Sequence, residues 1–202
     1  MVIRPPGFGQ TRAEQQREKT RDAVVATALR LFTERGYVAV RVEDIAAEAG
    51  ISRATFYKYF SEREQILGEL FARLLGREPA PPPPGQPADV EGRVRTLLVA
   101  AARQMAGQEV LARFIYTLPV RHAALAGEGA RPPVIVTVEQ LLREAAGAGA
   151  LRTDIPPADL AGHLARSFEA AMRDWAEGRA PDAADRVAVL VGLAFHGMLP
   201  PG

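Results

Sequence analysis

Ile45-Ala-Ala-Glu-Ala-Gly-Ile-Ser-Arg-Ala-Thr-Phe-Tyr-Lys-Tyr-Phe60 reads as two short helices joined by a glycine turn. Before the turn, Val42, Ile45, Ala46 and Ala49 recur at helical spacing while Glu43, Asp44 and Glu48 fall on the water side. Gly50 is placed to end the first helix in a left-handed cap, where a residue without Cβ is least strained, and Ile51 to pack back on the turn. Ser52 then offers its hydroxyl to the free amides of a second helix, in which Phe56 and Phe60 make the buried edge. The opposite face carries Arg53, Ala54, Tyr57 and Lys58, with Thr55 and Tyr59 beside it, and no acid. Such a face suits the major groove. Arg can donate twice to guanine, Ala and Thr methyls meet thymine methyls, and Tyr and Thr hydroxyls donate to phosphate.

Thr55-Phe-Tyr-Lys-Tyr-Phe60 resembles the signature of the TetR family of one-component bacterial transcriptional regulators. Upstream, Ala28-Leu-Arg-Leu-Phe-Thr-Glu-Arg-Gly-Tyr37 is similar to the end of that family's first helix, and Val42-Glu-Asp-Ile-Ala46 to its second. Downstream, Phe60-Ser-Glu-Arg-Glu-Gln-Ile66 stands where the family has Phe, a variable residue, Ser or Asn, Lys and Glu. The resemblance covers about residues 20 to 70. It departs from the family at Arg41, where Ser or Thr usually caps the second helix. A guanidinium cannot accept an amide hydrogen bond, so either the cap is lost or Arg41 serves DNA. Arg63 replaces the family's Lys and keeps its phosphate-facing charge. Ser61 and Glu64 have capping-box spacing, and Glu62 is expected to point away from DNA. The DNA-contacting set is therefore Arg41, Ser52, Arg53, Ala54, Thr55, Tyr57, Lys58, Tyr59 and Arg63.

The 202 residues allow one compact domain plus a small one, and a net charge of +1 requires any DNA contact to come from local placement of cations. Arg4, Arg12, Arg17, Lys19 and Arg21 near the N-terminus face only Glu14 and Glu18, and together with Arg53, Lys58 and Arg63 can form one positive surface. Residues 1–19 are expected to form a basic arm, partly disordered where Pro5, Pro6, Gly7 and Gly9 oppose a helix. The absence of cysteine excludes disulfides and thiolate chemistry, and Met1-Val-Ile-Arg-Pro-Pro-Gly7 lacks the apolar core of a signal peptide. A cytoplasmic, non-membrane protein is expected.

An all-α architecture follows, with an N-terminal helix-turn-helix domain over 20–77. Its first helix starts at Arg12 or Thr20 and ends at Arg35; its fourth runs from Glu62 to about Leu75. Pro79-Ala-Pro-Pro-Pro-Pro-Gly-Gln-Pro87 cannot be helical and makes 78–88 a stiff connector rather than a docking site. Residues 89–202 form a second helical domain, with helices near 89–106, 108–118, 132–147, 157–177 and 183–198. Pro133-Val-Ile-Val-Thr-Val138 is rich in β-branched residues, but Glu139-Gln-Leu-Leu-Arg-Glu144 continues it helically. Leu160, Leu164, Phe168, Ala171 and Trp175 stripe one of the last two helices. Val187-Ala-Val-Leu-Val-Gly-Leu-Ala-Phe195 is apolar all round, so it is either a central core helix or one covered by a partner subunit. The family resemblance implies the latter, a homodimer through 157–177 and 183–198.

The resemblance further implies a ligand-responsive regulator, a repressor before an activator. Bound to a palindromic operator, it would be released by a small hydrophobic or amphipathic molecule held in the C-terminal ligand-binding and dimerisation domain. Met105, Phe114, Tyr116, His122, Phe168, Met172 and Trp175, with Arg113, Arg121 and His163 as polar candidates, are the residues proposed to line that site, although each also suits plain core or surface. An activator without inducer remains open. An enzyme is the rival class, but the sequence has no Gly-x-Ser-x-Gly elbow, no helical His pair of metal-ligand spacing and no phosphate-binding glycine loop. No cofactor is expected.

Overall fold

A computed structural model describes residues 11–76, 85–86, 89–118 and 132–196. Among them the regular structure is entirely α-helical, and packing divides the chain into two units, 1–70 and 71–202. The sequence places the boundary at the prolines beyond residue 77. The packing boundary instead falls inside a helix, and most of the Pro-rich run lies outside the described residues, as do residues 1–10.

Unit 1 opens with α1 (Arg12–Arg35). Of the two possible starts Arg12 is the one found, because Thr11 and Glu14 form a reciprocal capping box: the Glu14 amide donates to Thr11 Oγ1 at 3.2 Å, and the Thr11 amide to Glu14 Oε2 at 2.8 Å. The basic arm expected over residues 1–19 is thus helical from Arg12 onward. Gly36, at φ +80°, ends the helix. α2 (Val42–Glu48) and α3 (Arg53–Tyr59) follow, then α4 (Glu64–Leu75). Val24, Val25, Ala28, Leu31 and Phe32 of α1 are buried, as are Ile45 and Ala46 of α2, Phe56 of α3, and Phe60 just beyond it. Each buried large side chain contributes about 1.5–3 kcal/mol. This core fixes the angle at which α3 is presented.

Unit 2 contains α5 (Val90–Ala106), α6 (Glu109–Thr117), α7 (Pro133–Gly147), α8 (Pro157–Ala176) and α9 (Ala183–His196). α7 resolves the β-branched run as helix, with Pro133 at its first position, where a missing amide costs nothing. α9 packs on α5 and α8, α8 also on α6 and α7, and α7 on α5. Val187, Val191 and Phe195 are buried, whereas Val189 is 53% and Leu193 63% exposed. Within the protomer α9 is therefore a one-sided helix and not a central core helix. No helix among the described residues is long and apolar enough to cross a membrane.

Candidate nucleic-acid interface

The turn between α2 and α3 is built as its sequence dictates. Gly50 sits at φ +68°, and the Ile51 amide reaches back to the Ala46 carbonyl at 2.9 Å, closing α2 with a six-residue loop. Ser52 Oγ accepts from the Thr55 amide at 3.0 Å and caps α3. The Thr55 hydroxyl lies 2.8 Å from the same Ser52 oxygen, so the two hydroxyls form one polar unit at the start of the helix. With Phe56 buried, Arg53, Ala54, Tyr57 and Lys58 are exposed, and Thr55 and Tyr59 are half-buried at the edges.

Across the turn, α2 starts with half a capping box. The Arg41 backbone N–H donates to Asp44 Oδ2 at 2.8 Å, while its guanidinium, which has no acceptor, leaves the other half unmade and stands exposed. At α4 the expected Ser61–Glu64 pairing is replaced. The Ser61 amide donates to Gln65 Oε1 at 2.9 Å, Gln65 Nε2 returns a bond to Ser61 Oγ at 2.7 Å, and the helix begins at Glu64, two residues later than expected. Glu64 is free of the cap and accepts from the Tyr37 hydroxyl at 3.0 Å.

Residues 24–70 match the model of the bacterial regulatory proteins, tetR family. Through this N-terminal stretch the chain is similar to regulators of the TetR family. It is 44% identical over 55 residues to the HTH-type transcriptional regulator EthR of Mycolicibacterium smegmatis, a match taking in 27% of this chain and 25% of that one. The chain thus spans about a quarter of the length of such curated relatives. Two solved structures share the whole fold. One is the Thermus thermophilus transcriptional repressor FadR in complex with lauroyl-CoA (TM-score 0.59, 24% identity, 90% of this chain and 96% of that). The other is SmeT, the repressor of the Stenotrophomonas maltophilia efflux pump SmeDEF (TM-score 0.67, 19% identity, 90% and 91%).

Within this TetR-like domain three cations differ in availability. Lys58 lies with Arg17, Glu18, Arg21, Thr55 and Tyr59 along an open groove between α1 and α3. Arg21 is committed there: its guanidinium lies 4.6 Å from the Phe60 ring centre and donates to the Tyr59 carbonyl at 3.2 Å and to Glu69 at 2.9 Å. Arg63 is turned inward. Only 22% exposed, it stacks 4.1 Å from the Tyr37 ring centre and donates to the carbonyls of Tyr37, at 3.0 Å, and Val40. Its geometry is that of a brace for the α1–α2 turn. Glu64, beside it, is held below the ordinary glutamate value. Burial would raise it, but a backbone amide, the Tyr37 hydroxyl and the Arg63 charge outweigh that. Sequence reasoning missed Glu43. It faces water, as its position in α2 implies, and from there its carboxylate reaches across the turn to Arg53 Nη1 at 3.1 Å, so the face that is free of acid within α3 receives one from α2. No spacing rule links positions on two helices across a turn.

In the C-terminal unit most of the described residues proposed to line a ligand site belong to the packed interior. Tyr116 is buried with its hydroxyl 3.4 Å from Met105 Sδ, and burial raises its pKa. Phe168, Met172 and Trp175 lie along the buried side of α8. Arg113 lies 4.6 Å from the Trp175 ring centre and donates to the carbonyls of Trp175 and Ala176, at 3.1 and 2.9 Å, satisfying the end of α8. Phe114 is half-buried, His163 is exposed, and Arg121 and His122 lie outside the described residues. A cleft of about 30 Å³, room for about one water, is lined by Leu75, Gly76, Ala101, Gln104, Met105, Pro133 and Val134 and shares only Met105 with that set.

Proposed function

We propose that this protein is a cytoplasmic transcriptional regulator, acting as a repressor. It binds a palindromic double-stranded operator as a homodimer and is released by a small hydrophobic or amphipathic effector. The observation that carries the reading is the Ser52-capped α3, which buries Phe56 and presents Arg53, Ala54, Tyr57 and Lys58 on one open face. The exposed Val189 and Leu193 on α9 support pairing through the last two helices, since a partner's matching face would remove both from water. Two such readers in successive grooves would stand about 34 Å or a multiple apart. The repressors among the similar structures, one of them holding lauroyl-CoA, support repression and an amphipathic effector.

The effector is proposed to favour a form of the C-terminal helices in which Met105, Tyr116, Phe168 and Met172 separate. Differential affinity for that form, linked reciprocally to DNA affinity, would produce release. Selection of bound sequences from a random duplex library, followed by competition with ligand pools, tests the whole reading. A palindromic consensus, lost in the presence of one pool, is expected; no enrichment above nonspecific DNA would overturn it.

A further inference from the structure

Arg53 is the first residue of α3 and the side chain best suited to read guanine, yet it is held before any DNA is present. Glu43 Oε1 lies 3.1 Å from its Nη1, and the Tyr57 ring centre lies 5.6 Å from the guanidinium carbon. Both members of the ion pair are solvent-accessible, Arg53 64% and Glu43 54% exposed, so the contact is not a buried strut. Glu43 belongs to the first turn of α2, which the Gly50 turn sets against the start of α3. The arrangement uses one edge of the guanidinium. Of its five N–H donors, those on Nη1 face Glu43 and the Tyr57 side chain is a second hydrogen-bonding neighbour of the guanidinium, so the donors turned away from both are the ones left for a base edge.

We infer that Glu43 is a specificity-determining positioning residue of the DNA reader: its carboxylate holds one arm of the Arg53 fork and so aims the other at a single base of each half-site. The role is indirect and rests on the reading that α3 enters the major groove. A long exposed Arg otherwise spreads over many rotamers, and a base contact must then pay their entropy. Restricting the fork beforehand lowers that cost for the one geometry in which both donors meet guanine, and does nothing for a mismatched base. Glu43 simultaneously opposes DNA phosphates, so overall affinity and base preference respond to it in opposite directions.

The test is library selection with the full-length protein and its Glu43→Ala, Glu43→Gln, Arg53→Ala and Glu43→Ala/Arg53→Ala variants. Glu43→Ala should weaken preference at one position per half-site by about 1.5- to fivefold, the range expected for an exposed ion pair of 0.2–1 kcal/mol. It should leave other positions unchanged and raise affinity for all sequences. Glu43→Gln, which keeps the length of the side chain but removes the charge on which the ion pair rests, should lose the preference as Glu43→Ala does. In the Arg53→Ala background, Glu43→Ala should change no base preference at all, because Glu43 acts through Arg53. Identical preferences for Glu43→Ala and the unaltered protein would overturn the aiming role. So would a preference retained in full by Glu43→Gln, or an equal effect with and without Arg53. Failure of the unaltered protein to enrich any sequence would instead remove the DNA-reading proposal itself.

Discussion

The two units spend their side chains differently. In the N-terminal unit the phenylalanines in and after α3 point inward while its basic residues and Tyr57 point outward, so core and candidate site are separate sets: Phe56 and Phe60 against Arg53, Tyr57 and Lys58. In the C-terminal unit the two sets overlap, because Met105, Tyr116, Phe168, Met172 and Trp175 are at once proposed ligand contacts and packed interior. A reading head can therefore be recognised by the chemistry of its exposed face. A cavity for an apolar effector is made of the same residue types as a core and differs from it only in how well they fill space.

Truncation puts that contrast to its hardest test. Phe56→Ala should cost about 3–5 kcal/mol and abolish DNA binding, since the ring is fully buried under the presented face. Met172→Ala should cost about 2–5 kcal/mol if α8 is filled as tightly as its burial indicates. Denaturant unfolding of the two variants compares them directly. A Met172→Ala loss well under 2 kcal/mol, accompanied by altered effector response, would show a lining residue of a ready cavity and break the equivalence of core and site.

Arg53→Ala should leave stability within about 0.5 kcal/mol of the parent, because the side chain is exposed. It should relax discrimination at one base position by about 1–3 kcal/mol. Binding titrations against single-base operator variants check both halves of the separation between core and face. A uniform loss across all variants would mean that Arg53 touches phosphate and that α3 is rotated from the orientation argued here.

What was legible in the sequence tracks how local the determining contact is. Gly50, Ile51 and Ser52 act within five residues of each other, and the structure builds the turn they specify. The Ser61 cap was legible in kind but not in partner: Gln65 takes the place of Glu64 because Tyr37, from another part of the chain, claims the Glu64 carboxylate. Arg63 reads as a phosphate-facing cation by position, whereas its donors go to Tyr37 and Val40, more than twenty residues away. Glu43 and Glu48 read as facing water and both are exposed, but their partners were not readable for the same reason: Arg53 for Glu43, and Arg30 of α1, at 2.6 Å, for Glu48. Among the described residues the helix bounds were legible to within about two residues, except the start of α1, which the sequence left open between Arg12 and Thr20. The tertiary partners of their charges were not, because no period relates them.

Acid should expose a charge network in the C-terminal unit. Hydrogen bonds from Arg186 and then Arg179 hold Asp174 below the usual 3.8 despite its partial burial. A depressed folded pKa means that the contribution is fully present above the unfolded value and is lost as pH falls through the folded one. Stability should therefore fall from about pH 4 downward. Asp174→Asn should cost about 1 kcal/mol at neutral pH and flatten that decline, as thermal melts between pH 3 and 7 would show. A variant with the parent's full acid sensitivity would move the network's contribution elsewhere.

The smallest expected effect lies where the reading head is braced. Tyr37→Phe removes the hydroxyl that donates to Glu64 but keeps the ring beneath Arg63, whose stacking and two carbonyl contacts hold the α1–α2 turn. Glu64 is exposed enough for water to replace the lost donor, so stability should change by less than about 1 kcal/mol. The Glu64 carboxyl should titrate at a higher pH than in the parent, because a hydrogen bond to its charged form is gone. Operator affinity should hold, since Arg63 is the brace and Tyr37 its platform. A loss of affinity as large as that of Arg63→Ala would place the hydroxyl itself in the support of α2, and would make the turn, and not the guanidinium, the element that sets the angle of the reading head.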